Sequence, residues 1–322
     1  MVLVRPPQAG HTDHQTLHHD LADTMPIRFA LLTDSHYHPS APRDFGAPKL
    51  LTRGQEVLDA TVPAINARDP QFIIHGGDLF CGGGSFEIPR DQFEQSVETV
   101  ATAYSAFQAP LLVVPGNHDC DAEERSFELL IQRFGAPRLL DVVEPVAGLR
   151  LALANVYHQA PRSGSGIWSE ALDGALREAA EHAWRDRVPL LLVLHSWVLP
   201  NYEDQGGVVE NWEQVVETVT QCPAVVAVLT GHRHINRVRM VRDFLLVDTA
   251  CLIGFPVGWR ELTLEDDGML TGRFHQLDLP GFIQASRERT TAEACDRYQG
   301  ECTDREFTVL LPRVRELRRP AG

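Results

Sequence analysis

The stretch IRFALLTDSH, residues 27–36, is a short apolar run from Ile27 to Thr33 that closes on two polar side chains, Asp34 and His36. A run of that length ending in a polar turn predicts a strand buried on both faces, with chemistry carried at its carboxyl end. The same pattern recurs along the chain. Gln71 to His75 leads into Gly76-Gly77-Asp78, and Leu111 to Pro115 into Gly116-Asn117-His118-Asp119. Leu190 to His195 ends on its histidine, and Ala224 to Thr230 leads into Gly231-His232-Arg233-His234. Leu149 to Asn155 is a further run of the kind. Amphipathic stripes lie between them, such as Phe93, Val97, Val100, Tyr104 and Phe107, then Val209, Trp212, Val216 and Val219. Their steps of three and four are helical, and strand alternating with helix predicts an α/β protein. Leu50 to Ile65 is a similar helix interrupted by Pro63, which leaves its end open.

Beyond Thr230 the pattern changes to closely spaced strands, Arg237 to Val241, Phe244 to Thr249 and Arg260 to Leu264, read as an antiparallel meander. Phe307 to Leu317 has a helical stripe broken by Pro312 and receives no assignment. Residues 1–25 lack apolar periodicity and are expected to be a disordered leader. The remainder divides into one domain, 26–281, and a C-terminal extension, 282–322, packing on or near it.

Composition narrows the function classes. The formal charge is 29 minus 44, or −15, so a polyanion-binding surface is not expected and nucleic acid is set aside as a partner. Lys49 is the one lysine of the chain, a bias attributed to composition rather than mechanism. No apolar run approaches the ~20 residues that span a bilayer. The polar start, with His11, His14, His18 and His19, lacks the hydrophobic segment of a secretory signal, and a cytoplasmic protein is expected. Six scattered cysteines show no zinc-finger spacing and are read as free thiols. Oligomeric state is not legible.

Asp34, His36, Asp78, Asn117, His195, His232 and His234 each follow a predicted strand, and groups at the carboxyl ends of neighbouring strands converge. Carboxylate, amide and imidazole donors suit divalent ions such as Mn²⁺, Fe²⁺, Zn²⁺ or Mg²⁺. The glycines beside them permit sharp turns and close approach.

The ordered set Asp-x-His, Gly-Gly-Asp, Gly-Asn-His-Asp, a strand-terminal His and Gly-His-x-His resembles the calcineurin-like metallophosphoesterase superfamily over Ile27 to Leu264. That resemblance implies a four-layer αββα sandwich and a pair of divalent metal ions. It implies that Asp34, His36 and His234 hold one ion, that Asn117, His195 and His232 hold the other, and that Asp78 bridges them. It also implies that a metal-bridging hydroxide attacks phosphorus while His118 serves as general acid to the leaving oxygen, with Asp119 orienting His118. In the protein-phosphatase branch the second block carries an acid and an arginine; here Cys81 and Gly82 stand at those places, which argues for a small phosphate ester instead. The chain resembles the bacterial group containing cyclic-nucleotide phosphodiesterases, so a phosphodiesterase is expected. A nucleotide pyrophosphatase or phosphomonoesterase is the alternative, and a catalytically silent scaffold the alternative from another class. Loops at 38–49, 82–90 and 161–168, and the C-terminal extension, are the candidate pocket walls.

Several nearby groups have simpler readings. His38 is taken as an exposed loop residue, His75 as structural, and Cys81 and Cys120 as small buried thiols. Asn155 and His158 are read either as contacts to a leaving group or as loop polarity, the two explaining them equally well. Arg233 is expected to face solvent, because neighbours in a strand point oppositely. Phe255 to Arg260 is read as a turn or an aromatic wall, and the arginines from Arg313 to Arg319 as a solvated face or a contact within the chain.

Overall fold

The computed structural model describes residues 25–318 apart from 45, 47, 83–87, 162 and 202–205, so the predicted leader lies outside the described residues save for Met25. Two six-stranded sheets face each other. The first has the order β12-β11-β10-β1-β2-β3, where β1 is Ile27–Leu32, β2 Phe72–His75, β3 Leu111–Val113, β10 Gly258–Leu264, β11 Met269–Gln276 and β12 Glu306–Leu310. The second has the order β4-β5-β6-β7-β9-β8, where β4 is Leu140–Val146, β5 Leu149–Ala154, β6 Leu190–Val193, β7 Val225–Thr230, β8 Arg237–Val241 and β9 Phe244–Asp248. Helices cover the outer faces: α1 (Gly54–Asn66), α2 (Arg90–Tyr104) and α3 (Glu128–Phe134) arise within the first half, and α4 (Glu170–Asp186) and α5 (Trp212–Gln221) within the second. This is the four-layer αββα sandwich.

The sheets carry the apolar runs because their strands are covered on both faces, where alternation gives way to continuous Val, Leu and Ile. Every residue of β2, β6, β7 and β9 is buried. β1, β2 and β3 run parallel in one sheet, and β5, β6, β7 and β9 run parallel in the other. Their carboxyl ends therefore open at the same edge of the sandwich.

The predicted meander is divided between the sheets. β8 and β9 form an antiparallel pair in the second sheet, whereas β10 and β11 pair in the first, with β10 antiparallel to β1. The crossing segment is itself buried, Ala250 to Ile253 and Val257 among its residues, so closely spaced strands did not mean adjacent ones. α1 continues past Pro63 to Asn66. β4, carrying Pro145, was not foreseen; it is an edge strand with exposed positions, where a missing amide does least harm.

The segment left unassigned is two elements. β12 extends the first sheet beside β11, and α9 (Pro312–Arg318) starts on its proline. Arg313, 1% exposed, donates to the carbonyls of Val219, Cys222 and Val225, tying α9 to the end of α5 and the start of β7. α6 (Pro280–Arg287), α7 (Ala292–Gln299) and α8 (Cys302–Arg305) complete this part of the chain.

Candidate metal centre

The polar residues that end the parallel strands meet between the sheets. Asp34 and His36 follow β1, Asp78 follows β2, Asn117 and His118 follow β3, His195 follows β6, and His232 and His234 follow β7. Asp34, His36, Asp78, His232 and His234 have φ of 55°, 39°, 54°, 72° and 59°. A left-handed backbone at a non-glycine residue costs on the order of 1 kcal/mol or more, and clusters of it mark functional sites. The strain turns each side chain off the strand axis and into the gap. Gly116 serves the same end by lacking a side chain, since a Cβ there would run into the Asp78 carboxylate.

Asp34 Oδ1 lies 3.0 Å from His234 Nε2, 3.5 Å from His36 Nε2 and 3.8 Å from His195 Nε2. Its Oδ2 accepts from Thr33 Oγ1 at 2.7 Å and from the His232 amide at 2.9 Å. Asp78 Oδ2 sits 3.1 Å from His195 Nε2 and 3.6 Å from His36 Nε2, so one oxygen faces both halves of the centre. Its Oδ1 accepts from the His118 amide at 2.7 Å. His232 Nδ1 is 3.1 Å from His195 Nε2, and His36 Nε2 is 3.3 Å from His234 Nε2. The donor atoms fall into groups that could each hold a metal ion: Asp34, His36 and His234; Asp78, His195 and His232; and His36, Cys81 and His118. Asn117 lies between Gly116 and His118, both of which adjoin Asp78, and its Oδ1 is buried with no hydrogen-bond donor among the described residues. An orphaned acceptor beside carboxylates and crowded imidazole nitrogens is the fit expected of a cation site. His195 Nδ1 is 2.7 Å from the Gly76 carbonyl, which fixes the ring so that Nε2 faces the centre.

Burial sets the charges against one another. It would raise Asp34, but His234 and His195 hold that carboxyl well below the usual range. Asp78 is likewise lowered, burial being outweighed by His195 and His118. Burial opposes protonation of His195, yet Asp78 and Asp34 raise it to about 9; for His234 burial is outweighed by Cys251 and Asp34, again to about 9. His232 is pushed down to about 3 by burial and by His195, and His36 is lowered by burial and by Lys49.

A pH prediction follows for protein stripped with a chelator. His195 and His234 have folded-state values above the ordinary 6.5, so their stabilisation is complete below pH 6.5 and is lost as pH rises to about 9. His36 and His232, being lowered, act on the acid side of that window. Metal affinity should climb through the same interval, since ligation needs neutral imidazole. Thermal melts of stripped protein at stepped pH check the sign, and a Tm rising from pH 6.5 to 9 would contradict it.

The residues around the centre divide differently from their simple readings. Asp119 does not face the His118 ring: its carboxylate accepts from the amides of Asp78, Phe80 and Gly116 at 2.8, 3.0 and 2.9 Å. His118 Nδ1 instead lies 3.1 Å from the Gly82 carbonyl. Burial, with Asp78 adding, raises Asp119 to about 8. His38 is buried, not exposed. Arg233 is half-buried and lines a cavity of about 200 Å³ with Trp197, Asn201, His232, His234, Arg297 and Tyr298. The alternation that pointed it at solvent fails because His232 and His234 both have positive φ, so the segment is no strand. Arg297 and Tyr298 come from α7, and Asn236 ties this helix down through the Tyr298 and Gln299 carbonyls. His75 pairs with Ser35 Oγ at 3.1 Å, and His158 with the Asn155 carbonyl and Ser169 Oγ at 2.9 and 3.2 Å, as structural histidines do. Cys81 and Cys120 are buried and form no disulfide.

Comparison with known proteins agrees with this geometry. The sequence profile of the family described as Calcineurin-like phosphoesterase matches residues 27–236. A probable cyclic nucleotide phosphodiesterase of a Synechococcus strain is 25% identical over 269 residues, covering 80% of this chain and 94% of that protein. The 3',5'-cyclic adenosine monophosphate phosphodiesterase CpdA of Escherichia coli K12 is 24% identical over 273 residues, covering 80% and 92%. Among solved structures, a dimetal phosphatase from Danio rerio superposes with a TM-score of 0.64 at 16% identity over 78% of this chain and 96% of that one. None of the described helices is long and apolar enough to cross a membrane.

Proposed function

The chain belongs to the calcineurin-like phosphoesterase family, a family that uses divalent metals, and from that premise we propose that it hydrolyses small phosphodiesters at a dinuclear centre. The observation that carries this reading is the convergence of Asp34, His36, Asp78, His195, His232 and His234 into two donor groups joined at Asp78 Oδ2, with His118 anchored to the same carboxylate. Asp34, His36 and His234 would hold one cation and Asn117, His195 and His232 the other, with Asp78 contributing to both groups. A bound pair would supply a water of lowered pKa and neutralisation of the charge that builds on the phosphoryl oxygens. His118 supplies the proton to the leaving oxygen. The Gly82 carbonyl, accepting from Nδ1–H, leaves Nε2 for that transfer.

Diesters are preferred to other small esters because the relatives covered over most of their length are named as cyclic nucleotide phosphodiesterases. One observation favours a nucleotide pyrophosphate as the second reading: Arg233 and Arg297 line the same cavity beside His232, where a second phosphate would find two guanidinium groups. We assign the C-terminal residues 282–318 to the wall of this site through α7. Arg297→Ala is accordingly expected to raise KM for nucleotide substrates roughly tenfold, with KM for a small aryl diester within about twofold of wild type, as loss of one charge-assisted contact outside the reacting group requires. Equal effects on both substrates would remove α7 from the site.

The reading as a whole is tested on purified protein loaded with Mn²⁺, Fe²⁺, Zn²⁺ or Mg²⁺ against cyclic nucleotides, nucleoside diphosphate esters, glycerophosphodiesters and monoesters. Hydrolysis of none of them with any of these metals sinks it and leaves the scaffold alternative. The cytoplasm is the compartment we propose: Cys81, Cys120, Cys222, Cys251, Cys295 and Cys302 form no disulfide, which suits a reducing environment.

A further inference from the structure

Lys49 is the chain's single lysine among 29 basic residues, and the fold places it at the metal centre. It is 8% exposed, and its Nζ donates to His36 Nε2 at 3.4 Å. Its backbone is pinned on both sides. The Lys49 amide donates to Gly46 O at 2.9 Å, and the Leu50 amide to Ile253 O at 3.0 Å. A long flexible side chain is thus delivered from a fixed base to one place. That place is the side of the centre where the donor atoms of His36, Cys81 and His118 lie within 4.8 Å of one another, and the lysine charge acts on all three.

The nitrogen that Lys49 donates to has one lone pair, and the same nitrogen faces Asp34, Asp78 and His234. Once that lone pair is given to a cation it cannot accept from the ammonium. Two like charges are then left at close range unless an anion stands between them. Gly82, next to His118, cannot provide a cation of its own: a Cβ there would lie 2.5 Å from the Cys120 carbonyl oxygen and 2.9 Å from that of His118. We propose that Lys49 is a substrate-binding residue whose ammonium binds a non-bridging oxygen of the phosphoryl group, on the His36–His118 side of the centre.

This rests on the reading of the site as a phosphoesterase, and it carries a crossed signature that a structural lysine lacks. Removing the ammonium relieves repulsion of the cation while removing a donor to the phosphate. Lys49→Met should therefore bind Zn²⁺ at least as tightly as wild type, yet bind orthophosphate roughly tenfold or more weakly in the Zn²⁺-loaded protein, with Lys49→Arg partly restoring it. A lysine that only supports the fold would weaken both.

The wild-type protein supplies a second measurement that needs no variant to fold. Grown with [ε-13C]lysine, it gives one side-chain signal, because the chain has one lysine. Saturating orthophosphate added to the Zn²⁺-loaded protein should shift that signal. An unmoved signal, orthophosphate affinity within twofold of wild type in folded Lys49→Met, or no orthophosphate binding by the wild type overturns the proposal. Failure of the function reading shows elsewhere, as absence of turnover across the ester panel, whereas these titrations read ligand binding alone.

Discussion

Asp78→Ala is expected to lower kcat/KM by about three orders of magnitude or more and to leave the protein unable to retain a full complement of metal. The magnitude follows from position. Oδ2 faces His36 on one side and His195 on the other, so both donor groups proposed to hold a cation lose a charged oxygen at once. Loss of several kcal/mol of charge stabilisation is a thousandfold or so in rate. Oδ1 meanwhile holds the His118 amide at 2.7 Å, and without it the loop carrying Asn117 and His118 is released. Asp78→Asn separates the two effects. Its amide oxygen can still accept from His118, so the loop stays while the charge goes, and an equally inactive Asn variant assigns the loss to the cations. Metal content per chain, measured beside turnover, checks the claim. An Ala variant holding the wild-type complement and working within tenfold of it would refute it.

The seven candidate ligands were legible because they sit where the chain changes character, from continuous apolar residues to a polar pair or a glycine. That change is dictated by burial: a strand covered on both faces has no room for a carboxylate until it leaves the sheet. What the sequence withheld is conformational. The left-handed backbone at Asp34, His36, Asp78, His232 and His234 is imposed by the packed sandwich, and no local propensity announces it at histidine. Arg233 was misdirected for that reason, since a side-chain direction inferred from strand alternation is void where the strand has ended. Lys49 was set aside as composition because it lies thirteen residues past His36, in a segment with no periodicity, and only the turn at Gly46 and the contact of Leu50 with Ile253 bring it back. The meander was divided for a similar reason. Short spacing between β9 and β10 predicts adjacency, but the nine residues between them are buried and cross from one sheet to the other. Asp119 was assigned to the wrong neighbour, because adjacency in sequence to His118 says nothing about where a carboxylate points once three backbone amides compete for it.

His118→Ala is expected to lower kcat by roughly 10²–10⁴ on a diester with an alkyl leaving group while leaving metal content unchanged. The separation is possible because the contact of His118 with Asp78 is made by the backbone amide, which alanine keeps. The ring does different work. It lies with its centroid 4.9 Å from that of His36, at the edge of the cation group, and its Nδ1 is held at Gly82. Burial lowers its affinity for a proton, Asp78 opposes, and Lys49 lowers it further, so the protonated ring is a stronger acid than free imidazolium. General acid catalysis contributes most where the leaving oxygen is basic. The defect should therefore depend on the leaving group: large for a nucleoside or glycerol alkoxide, and within about tenfold for 4-nitrophenolate, which departs without a proton. Plotting log kcat against leaving-group pKa for wild type and variant gives the decisive comparison. A steeper slope in the variant places the proton transfer on His118; parallel lines would mean that the ring positions the phosphate and that the proton comes from another group or from solvent.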